Sequence, residues 1–262
     1  MSLRRRMAGG LGALAYGAGF HRLLLRGHAV VAVFHRIDDR YPGNPITTSV
    51  SLFTELCDFF ARHFTVVPLG RLVTMLRDGG PLGGHLAITF DDGYRDNHRT
   101  AAPILARRGL PACFFVTTGF IGSEQSPRWD ASAGISSEWM SWEEVRDLHS
   151  RGFEIGAHTV SHADLGQVEG SPARAEIAGS KSALEIQLGV PVSLFAYPFG
   201  RAQALTEGNR ALVREAGFVC CASAFGGSVP AGTDPYRLCR MPVSEWHHSA
   251  GQFGLEALRG RS

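Results

Sequence analysis

Residues 86–93, LAITFDDG, are the stretch on which the fold depends most. The first five are apolar or β-branched, which is typical of a strand that is buried on both faces. The run then ends in two aspartates and a glycine, and a segment with helical character follows at residues 100–108. A buried strand, a polar strand end and a helix together make half of a parallel βαβ unit.

The same alternation recurs on both sides of this stretch. Predicted strands cover residues 29–34, 64–67, 86–90, 112–116, 153–157, 194–197, 218–222 and 238–241. Predicted helices cover residues 51–62, 69–76, 100–108, 173–188 and 211–216. A further helix begins at Ser141, which forms a capping box with Glu144, and ends at Gly152. Residues 119–138 are predicted to form a loop.

This pattern predicts an α/β fold, a single irregular (β/α) barrel of seven or eight strands. An open Rossmann sheet is disfavoured, because no Gly-x-Gly-x-x-Gly turn follows the first strand. The chain has 262 residues, 44% of them hydrophobic and 19% charged, which suits one barrel with a full core.

Charge and cysteine usage exclude several classes of protein. The formal net charge is +2, so nothing indicates nucleic acid as a partner. The five cysteines form no Cys-x-x-Cys pair, and we expect small buried side chains in a reducing compartment rather than disulfides. No apolar run reaches the roughly 20 residues that a membrane-spanning helix needs.

We predict three segments: a basic N-terminal lead-in at residues 1–28, a catalytic barrel at residues 29–245 and a C-terminal tail at residues 246–262. The lead-in loosely imitates a signal peptide, with arginines at residues 4–6 before small residues at 7–20. It is rich in glycine, lacks a leucine block and runs into His21, Arg22 and Arg26. We therefore expect a cytoplasmic or membrane-peripheral protein rather than a secreted one. The pattern indicates no oligomeric state.

Four predicted strands end in residues that can do chemistry. They are His35, the pair Asp91 and Asp92, His158, and the segment Tyr197-Pro198-Phe199-Gly200. The C-terminal strand ends of a barrel meet at one mouth, where active sites lie. An isolated Asp-Gly is usually a turn, and two histidines four apart are usually a solvated pair. Their shared position at strand ends predicts a common site.

Asp92, His158 and His162 are the predicted ligands of a divalent metal. The adjacent carboxylates of Asp91 and Asp92 repel each other, and a cation on one of them leaves the other free as a base. Imidazole nitrogens with one carboxylate suit Zn²⁺, with Co²⁺ and Ni²⁺ as alternatives. Three protein ligands leave the site open, as catalytic sites require, whereas a structural zinc takes four.

Taken in order, these residues resemble the motifs of the NodB-like polysaccharide deacetylase family of carbohydrate esterases, from about residue 30 to about residue 243. Residues 89–93, TFDDG, are similar to its first motif. The resemblance implies that Asp91 is the catalytic base and Asp92 a metal ligand. Residues 158–162, HTVSH, are similar to the second motif, which supplies two histidine ligands, here His158 and His162.

The third motif departs from the family's commonest form, Arg-x-Pro-Tyr-Gly, in which the arginine steadies the base. Ala196 stands at the position of that arginine, so the segment resembles the branch with Ala-Tyr-Pro-Tyr-Gly. We expect Arg240, from a later Leu-Cys-Arg-Met-Pro segment, to supply the missing cation. The residues assigned to the substrate side of the site are Tyr197, Pro198, Phe199, Gly200 and Arg240.

The family's late Leu-x-His motif, which carries the catalytic acid, is not apparent. In the branch that acts on exopolysaccharides such as poly-N-acetylglucosamine, a histidine at the end of the first strand takes that role. His35 follows Phe34 in the matching position and is the candidate acid. His247 and His248 are the alternatives.

The resemblance implies a metal-dependent hydrolase that removes N-acetyl groups from a carbohydrate, a reaction on a non-peptide carbon–nitrogen bond. We expect a backbone amide near Tyr197 to help stabilise the oxyanion. Trp129, Trp139 and Tyr197 are candidate stacking surfaces for a sugar ring. Two alternatives remain: a hydrolase of another amide or an O-acetyl ester on the same scaffold, and a non-catalytic carbohydrate-binding protein.

Overall fold

The computed structural model describes residues 3–244 and 246–260. The strands are β1 His28–Phe34, β2 Arg36–Ile37, β3 Thr47–Thr48, β4 Thr65–Val66, β5 His85–Phe90, β6 Cys113–Val116, β7 Glu154–Ala157, β8 Leu194–Ala196, β9 Cys220–Gly226, β10 Val229–Pro230 and β11 Leu238–Pro242. The helices are α1 Leu3–Gly17, α2 Phe20–Leu24, α3 Val50–His63, α4 Leu69–Arg77, α5 Ala102–Ala106, α6 Arg128–Ser132, α7 Trp142–Ser150, α8 Gly170–Leu188, α9 Glu207–Glu215 and α10 Ala250–Arg259.

Seven parallel strands close into a ring in the order β1, β11, β9, β8, β7, β6, β5 and back to β1. The predicted (β/α) barrel is therefore confirmed, with seven strands. The predicted strand at residues 64–67 lies outside the ring, because β4 pairs only with the first two residues of β5. β1 pairs with β5 along residues 30–34 and thereby bypasses β4.

Most side chains inside the barrel are apolar, and helix α4 covers its N-terminal end. Side chains alternate along β1: Ala29 and Val31 pack inside the ring, while Val30 and Phe34 pack outward against the helices. The buried side chains of α4 belong to the interior cluster. Glu154, at the start of β7, accepts hydrogen bonds from the first two backbone N–H groups of α4, at 2.7 and 3.0 Å, which fixes that helix against the barrel.

The helices begin and end where their capping residues predict. Ser141 and Glu144 form the predicted capping box of α7, and Gly189 ends α8 in the left-handed conformation. The predicted helix at residues 100–108 differs, because one wide π-type turn at Asn97–Ala101 precedes α5. The predicted loop at residues 119–138 contains the short helix α6.

The two ends of the described chain pack on each other. A Cβ on Gly12 of α1 would lie 1.8 Å from the carbonyl oxygen of Gly251 in α10, so the two helix backbones touch. The three predicted segments stay a prediction, although α1 and α2 fall in the lead-in and α10 in the tail. Residues 1, 2, 245, 261 and 262 of those segments lie outside the described residues.

Two expectations about the chain as a whole can be compared with the structure. All five cysteines are free, and four of them are buried, as expected for small core side chains. Across residues 3–244 and 246–260, no helix combines the length and the apolar character needed to cross a bilayer.

Candidate metal centre and active site

The three predicted metal ligands converge at the C-terminal mouth of the barrel. Asp92 follows β5, His158 follows β7, and His162 lies four residues further on. The Nε2 atoms of His158 and His162 lie 3.4 and 3.2 Å from Oδ1 of Asp92. One potential ligand atom from each residue falls within 4.8 Å of the other two, and all three residues are buried.

The donor atoms fit a divalent ion of the zinc type. Nδ1 of His158 lies 2.8 Å from the carbonyl oxygen of Ala196. A carbonyl can only accept, so Nδ1 carries the proton and Nε2 presents a lone pair, the form that a metal ligand needs. Oδ1 of Asp92 is buried and has no hydrogen-bond donor among the described residues. Ligands of a tetrahedral zinc lie roughly 3.4 Å apart, which matches the observed spacing.

The charge state of Asp92 also suits a ligand. Burial works to raise the pKa of its carboxyl, but the neighbouring imidazoles of His162 and His158 outweigh burial and hold that pKa well below its ordinary value. Asp92 is therefore a carboxylate.

His162 is held by aromatic packing rather than by a hydrogen bond. Its Nδ1 is buried and has no hydrogen-bond partner in the described part of the chain. Its ring centroid lies 4.7 Å from that of Trp129, 4.7 Å from that of Phe199 and 6.2 Å from that of Phe120. Trp129, expected as a sugar surface, thus forms a wall of the metal centre.

Asp91 pairs with Arg240 inside the barrel. The two terminal guanidinium nitrogens of Arg240 donate to the two carboxylate oxygens of Asp91, each at 2.7 Å. Arg240 also donates to the hydroxyl of Thr89 at 3.2 Å and to the carbonyl of Ser223. Burial works to raise the pKa of Asp91, but the Arg240 charge outweighs it and holds the pKa below its ordinary value. Each oxygen of Asp91 keeps one further lone pair.

The structure differs from two expectations about the substrate side. Arg240 and Tyr197 are fully buried, so neither side chain reaches a substrate. The N–H of Tyr197 donates to the carbonyl of Ala222 at 3.0 Å and is not free for an oxyanion. Trp139 is buried as well, and its indole N–H donates to the carbonyl of Gln125 at 2.7 Å.

Within the segment Tyr197-Pro198-Phe199-Gly200, the exposed side chain is that of Phe199. Its side chain is 39% exposed, and its N–H has no acceptor among residues 3–244 and 246–260. Pro198 before it is buried. Gly200 has a φ of 55°, and a Cβ there would lie 2.1 Å from the backbone nitrogen of Ala224. The third-motif segment therefore offers a backbone donor at Phe199.

His35 stands beside Asp91 at the mouth. Phe34 and Phe90 are paired in register on β1 and β5, so the next residues are His35 and Asp91. The His35 side chain is partly exposed. Burial lowers its pKa, and although Asp92 and Asp91 oppose this, the net pKa lies below the ordinary value.

The alternative histidines lie beside α10. Nε2 of His247 is 3.1 Å from the carboxylate of Glu256, and its ring packs on Phe253. The backbone N–H of His248 donates to the side chain of Gln252. Of the three candidates, only His35 follows a barrel strand next to Asp91.

A buried network that the pattern did not predict fixes the rim of the site. Oδ2 of Asp130 accepts hydrogen bonds from Arg36 at 2.6 Å, Ser137 at 2.7 Å and Tyr94 at 2.9 Å. Trp129 in turn donates to the hydroxyl of Tyr94 at 2.9 Å. Arg36 follows His35 directly, which is the signal in the sequence. Its partner, however, lies 94 residues away, within the predicted loop.

Backbone strain is concentrated at this site. Among the described residues, the non-glycine positions with positive φ are Asp92, Thr159, His162 and Phe199, with values of 58–76°. Non-glycine residues rarely adopt a positive φ, and those that do are concentrated at functional sites. Two of the four are predicted metal ligands, and Phe199 carries the free N–H.

One protein family matches the chain. A family model described as polysaccharide deacetylase matches residues 79–220, more than half of the chain. The chain is 24% identical over 180 residues to the presumed polysaccharide deacetylase YxkH of Bacillus subtilis strain 168, which covers 69% of this chain and 59% of that protein. A gellan lyase of Bacillus sp is 30% identical over 118 residues, only 4% of its own length. The chain thus spans less than two thirds of either curated relative.

Solved structures share the fold. The Streptococcus pyogenes deacetylase PplD in complex with acetate superposes with a TM-score of 0.73 at 20% identity, covering 87% of this chain and 97% of that one. IcaB from Ammonifex degensii superposes with a TM-score of 0.71 at 24% identity, covering 88% and 97%. At these identities the likeness concerns the barrel alone.

Proposed function

Because the chain belongs to the polysaccharide deacetylase family, we propose that it removes N-acetyl groups from a carbohydrate at a divalent metal held by Asp92, His158 and His162. One observation carries the proposal: three donor atoms converge within 4.8 Å, directly beside the Asp91 carboxylate. We further assign the chain to the branch with an N-terminal catalytic histidine. Ala196 at the third motif, Arg240 beside Asp91 and His35 after β1 support that assignment.

A divalent ion in this site supplies Lewis acidity, which polarises a carbonyl group and acidifies water. Asp91 accepts the proton of the attacking water through a lone pair that Arg240 leaves open. Arg240 keeps Asp91 ionised and oriented throughout. The free N–H of Phe199 is the backbone donor that the third motif offers for the developing oxyanion.

His35, after taking up a proton from solvent, donates that proton to the departing amine. A histidine whose pKa is lowered is a stronger acid once it carries a proton, so it gives that proton up readily. Its place beside Asp91 lets one side chain take a proton from water while its neighbour supplies one to the leaving group. The substrate class that follows is an N-acetylated amino-sugar polymer.

Acetate release tests the reaction. The purified chain is incubated with acetylated chitooligomers, with O-acetylated sugars and with a cyclic amide, each with Zn²⁺, Co²⁺ or Ni²⁺ and with a chelator. We expect metal-dependent acetate release from the chitooligomers, and a loss of about 10²-fold or more in Asp91→Asn. A matched Asp78→Asn variant, changed at the exposed C-terminal end of α4, keeps full activity. Release from the ester or opening of the cyclic amide alone would assign the scaffold to another hydrolase.

Metal binding is measured separately from activity. Trp129 lies 4.7 Å from His162, so Co²⁺ in the site should quench its fluorescence. We expect saturable quenching that His162→Ala and Trp129→Phe abolish, while Trp142→Phe on α7 retains it. Tight metal binding without acetate release from any substrate would instead favour a carbohydrate-binding protein.

A further inference from the structure

Helix α1 presents its large apolar side chains to solvent and its small residues to the protein. Met7, Leu11 and Leu14 are 58%, 53% and 71% exposed and follow one another at spacings of four and three residues, along one face. The opposite face is packed through glycine, with Gly12 against Gly251 of α10. A helix that served only the core would have the reverse arrangement.

Helix α2 extends this apolar surface. Phe20 and Leu23 are 61% and 70% exposed. Together with Met7, Leu11 and Leu14 they form what we call the lead-in face. Half of the exposed large apolar side chains in the described chain lie on it, within 17 residues. Clusters of this kind mark interaction surfaces, whereas apolar side chains exposed singly are common on any protein surface.

The packing beneath holds the lead-in face outward. Tyr16 is buried and stacks on the ring of His21 at 4.4 Å. A Cβ on Gly254 of α10 would lie 2.8 Å from the Tyr16 ring, so the two helices cannot roll past each other. The lead-in face therefore cannot turn inward without breaking this contact.

Every charged residue of the lead-in segment itself is positive. No aspartate or glutamate occurs in the first 37 residues. Arg22 and Arg26 are exposed beside the apolar side chains of α2. An apolar strip flanked by arginines complements an anionic lipid surface. A second copy of this chain would bring the same positive charge to the contact and be repelled.

We propose that the lead-in face docks this protein on an anionic lipid bilayer. The five apolar side chains enter the boundary between headgroups and acyl chains, and the arginines pair with the headgroup phosphates. This docking does not depend on which substrate the site takes.

Vesicle sedimentation tests the proposal with the full chain. Wild type is mixed with phosphatidylcholine vesicles containing 25% phosphatidylglycerol, or with phosphatidylcholine alone. We expect binding to the anionic vesicles that weakens at high salt. The variant Leu14→Glu/Leu23→Glu should bind at least about tenfold less. Ile186→Glu/Val190→Glu, which adds the same charge on another exposed apolar pair, should bind as wild type does.

The controls separate lipid docking from misfolding and from self-association. Both double variants should keep the wild-type unfolding temperature and Co²⁺ quenching; Leu14→Ser/Leu23→Ser serves if the glutamates disturb folding. Absent binding by wild type, or equal binding by the two double variants, would overturn the proposal. So would light scattering that shows a dimer which the Leu14/Leu23 variant dissociates while its vesicle binding is unchanged.

Discussion

Arg240 and Asp91 are 149 residues apart in the chain, yet the guanidinium of one lies 2.7 Å from both oxygens of the other. The arginine rises from β11 through the barrel interior and is completely buried. Two buried charges repay their desolvation only when the geometry is close to ideal and their remaining hydrogen-bonding groups are satisfied. Thr89 and Ser223 accept hydrogen bonds from two more of the five N–H groups of this guanidinium.

Replacing Arg240 should therefore damage both stability and catalysis. Arg240→Gln leaves the Asp91 carboxylate buried and unpaired, at a cost of about 3–5 kcal/mol of unfolding free energy. Acetate release should fall by about 10²-fold, because the base loses its fixed orientation. Urea unfolding and single-turnover assays measure the two effects. Arg237→Gln, an exposed arginine near β11, is the control; equal activity of both variants would contradict the assigned role.

The Asp130 network should behave as a single unit. Asp130→Ala leaves Arg36 buried without its partner, and we expect a loss of about 3–5 kcal/mol. Arg36→Met/Asp130→Leu, which removes both charges, should recover most of that loss. By comparison, Arg40→Ala breaks ion pairs at an exposed arginine and should cost under about 1 kcal/mol. Additive effects of the single Arg36 and Asp130 changes would show that the pair is not coupled.

The turn at the third motif can be tested at Gly200, with Gly189 at the end of α8 as the matched control. Both have positive φ, at 55° and 70°, but only at Gly200 would a Cβ meet backbone, 2.1 Å from the nitrogen of Ala224. Gly189→Ala should cost about 1 kcal/mol and keep activity. Gly200→Ala should cost about 2 kcal/mol more and abolish acetate release, because the Phe199 N–H moves. Comparable unfolding and activity in the two variants would remove the case for Phe199.

Asp96 should make stability depend on pH. Burial raises the pKa of this carboxyl to about 7. Below about pH 4 it is protonated in both the folded and the unfolded state. As the pH rises from about 4 to 7 the unfolded chain releases the proton first, so stability falls, and above pH 7 the loss is constant.

Asp96→Asn keeps an acceptor for the N–H of Ile37 and cannot ionise. Because Asp96 partly reaches solvent, we expect the variant to gain about 2 kcal/mol relative to wild type between pH 4 and pH 8. Urea unfolding across that range measures the difference. Parallel stability curves for the two proteins would show that Asp96 titrates as an exposed aspartate does.

Strand positions and strand ends could be read from the residues because they depend on local patterns. The apolar runs located all seven barrel strands, and their polar ends located Asp91, Asp92 and His158 at one mouth. Whether a predicted strand belongs to the barrel ring could not be predicted from local patterns. β4 has the pattern of a strand, but whether it enters the barrel depends on the pairing of β1 with β5, which no local pattern encodes.

The sequence also did not predict which side chains would be buried by contacts between distant parts of the chain. Tyr197 is an aromatic residue of the kind that stacks on sugar rings, but its side chain is buried. Only the tertiary structure reveals this burial. The pairing of Arg36 with Asp130 across 94 residues could not be predicted for the same reason. Helix α1 shows the limit most clearly, since its glycine face rather than its leucine face packs on the protein.

β1 and β11 pair to close the barrel, but they lie near opposite ends of the chain. During translation, a long interval therefore separates the synthesis of the two strands. At about 5–20 residues per second, β1 waits on the order of 10–40 s for Leu238–Pro242 to emerge. Until then β1 and β9 keep open edges, which can pair wrongly with other chains. The nascent chain already holds the three proposed metal ligands but lacks the arginine beside the proposed base. We therefore expect acetate release only from chains in which the last strand has joined the barrel.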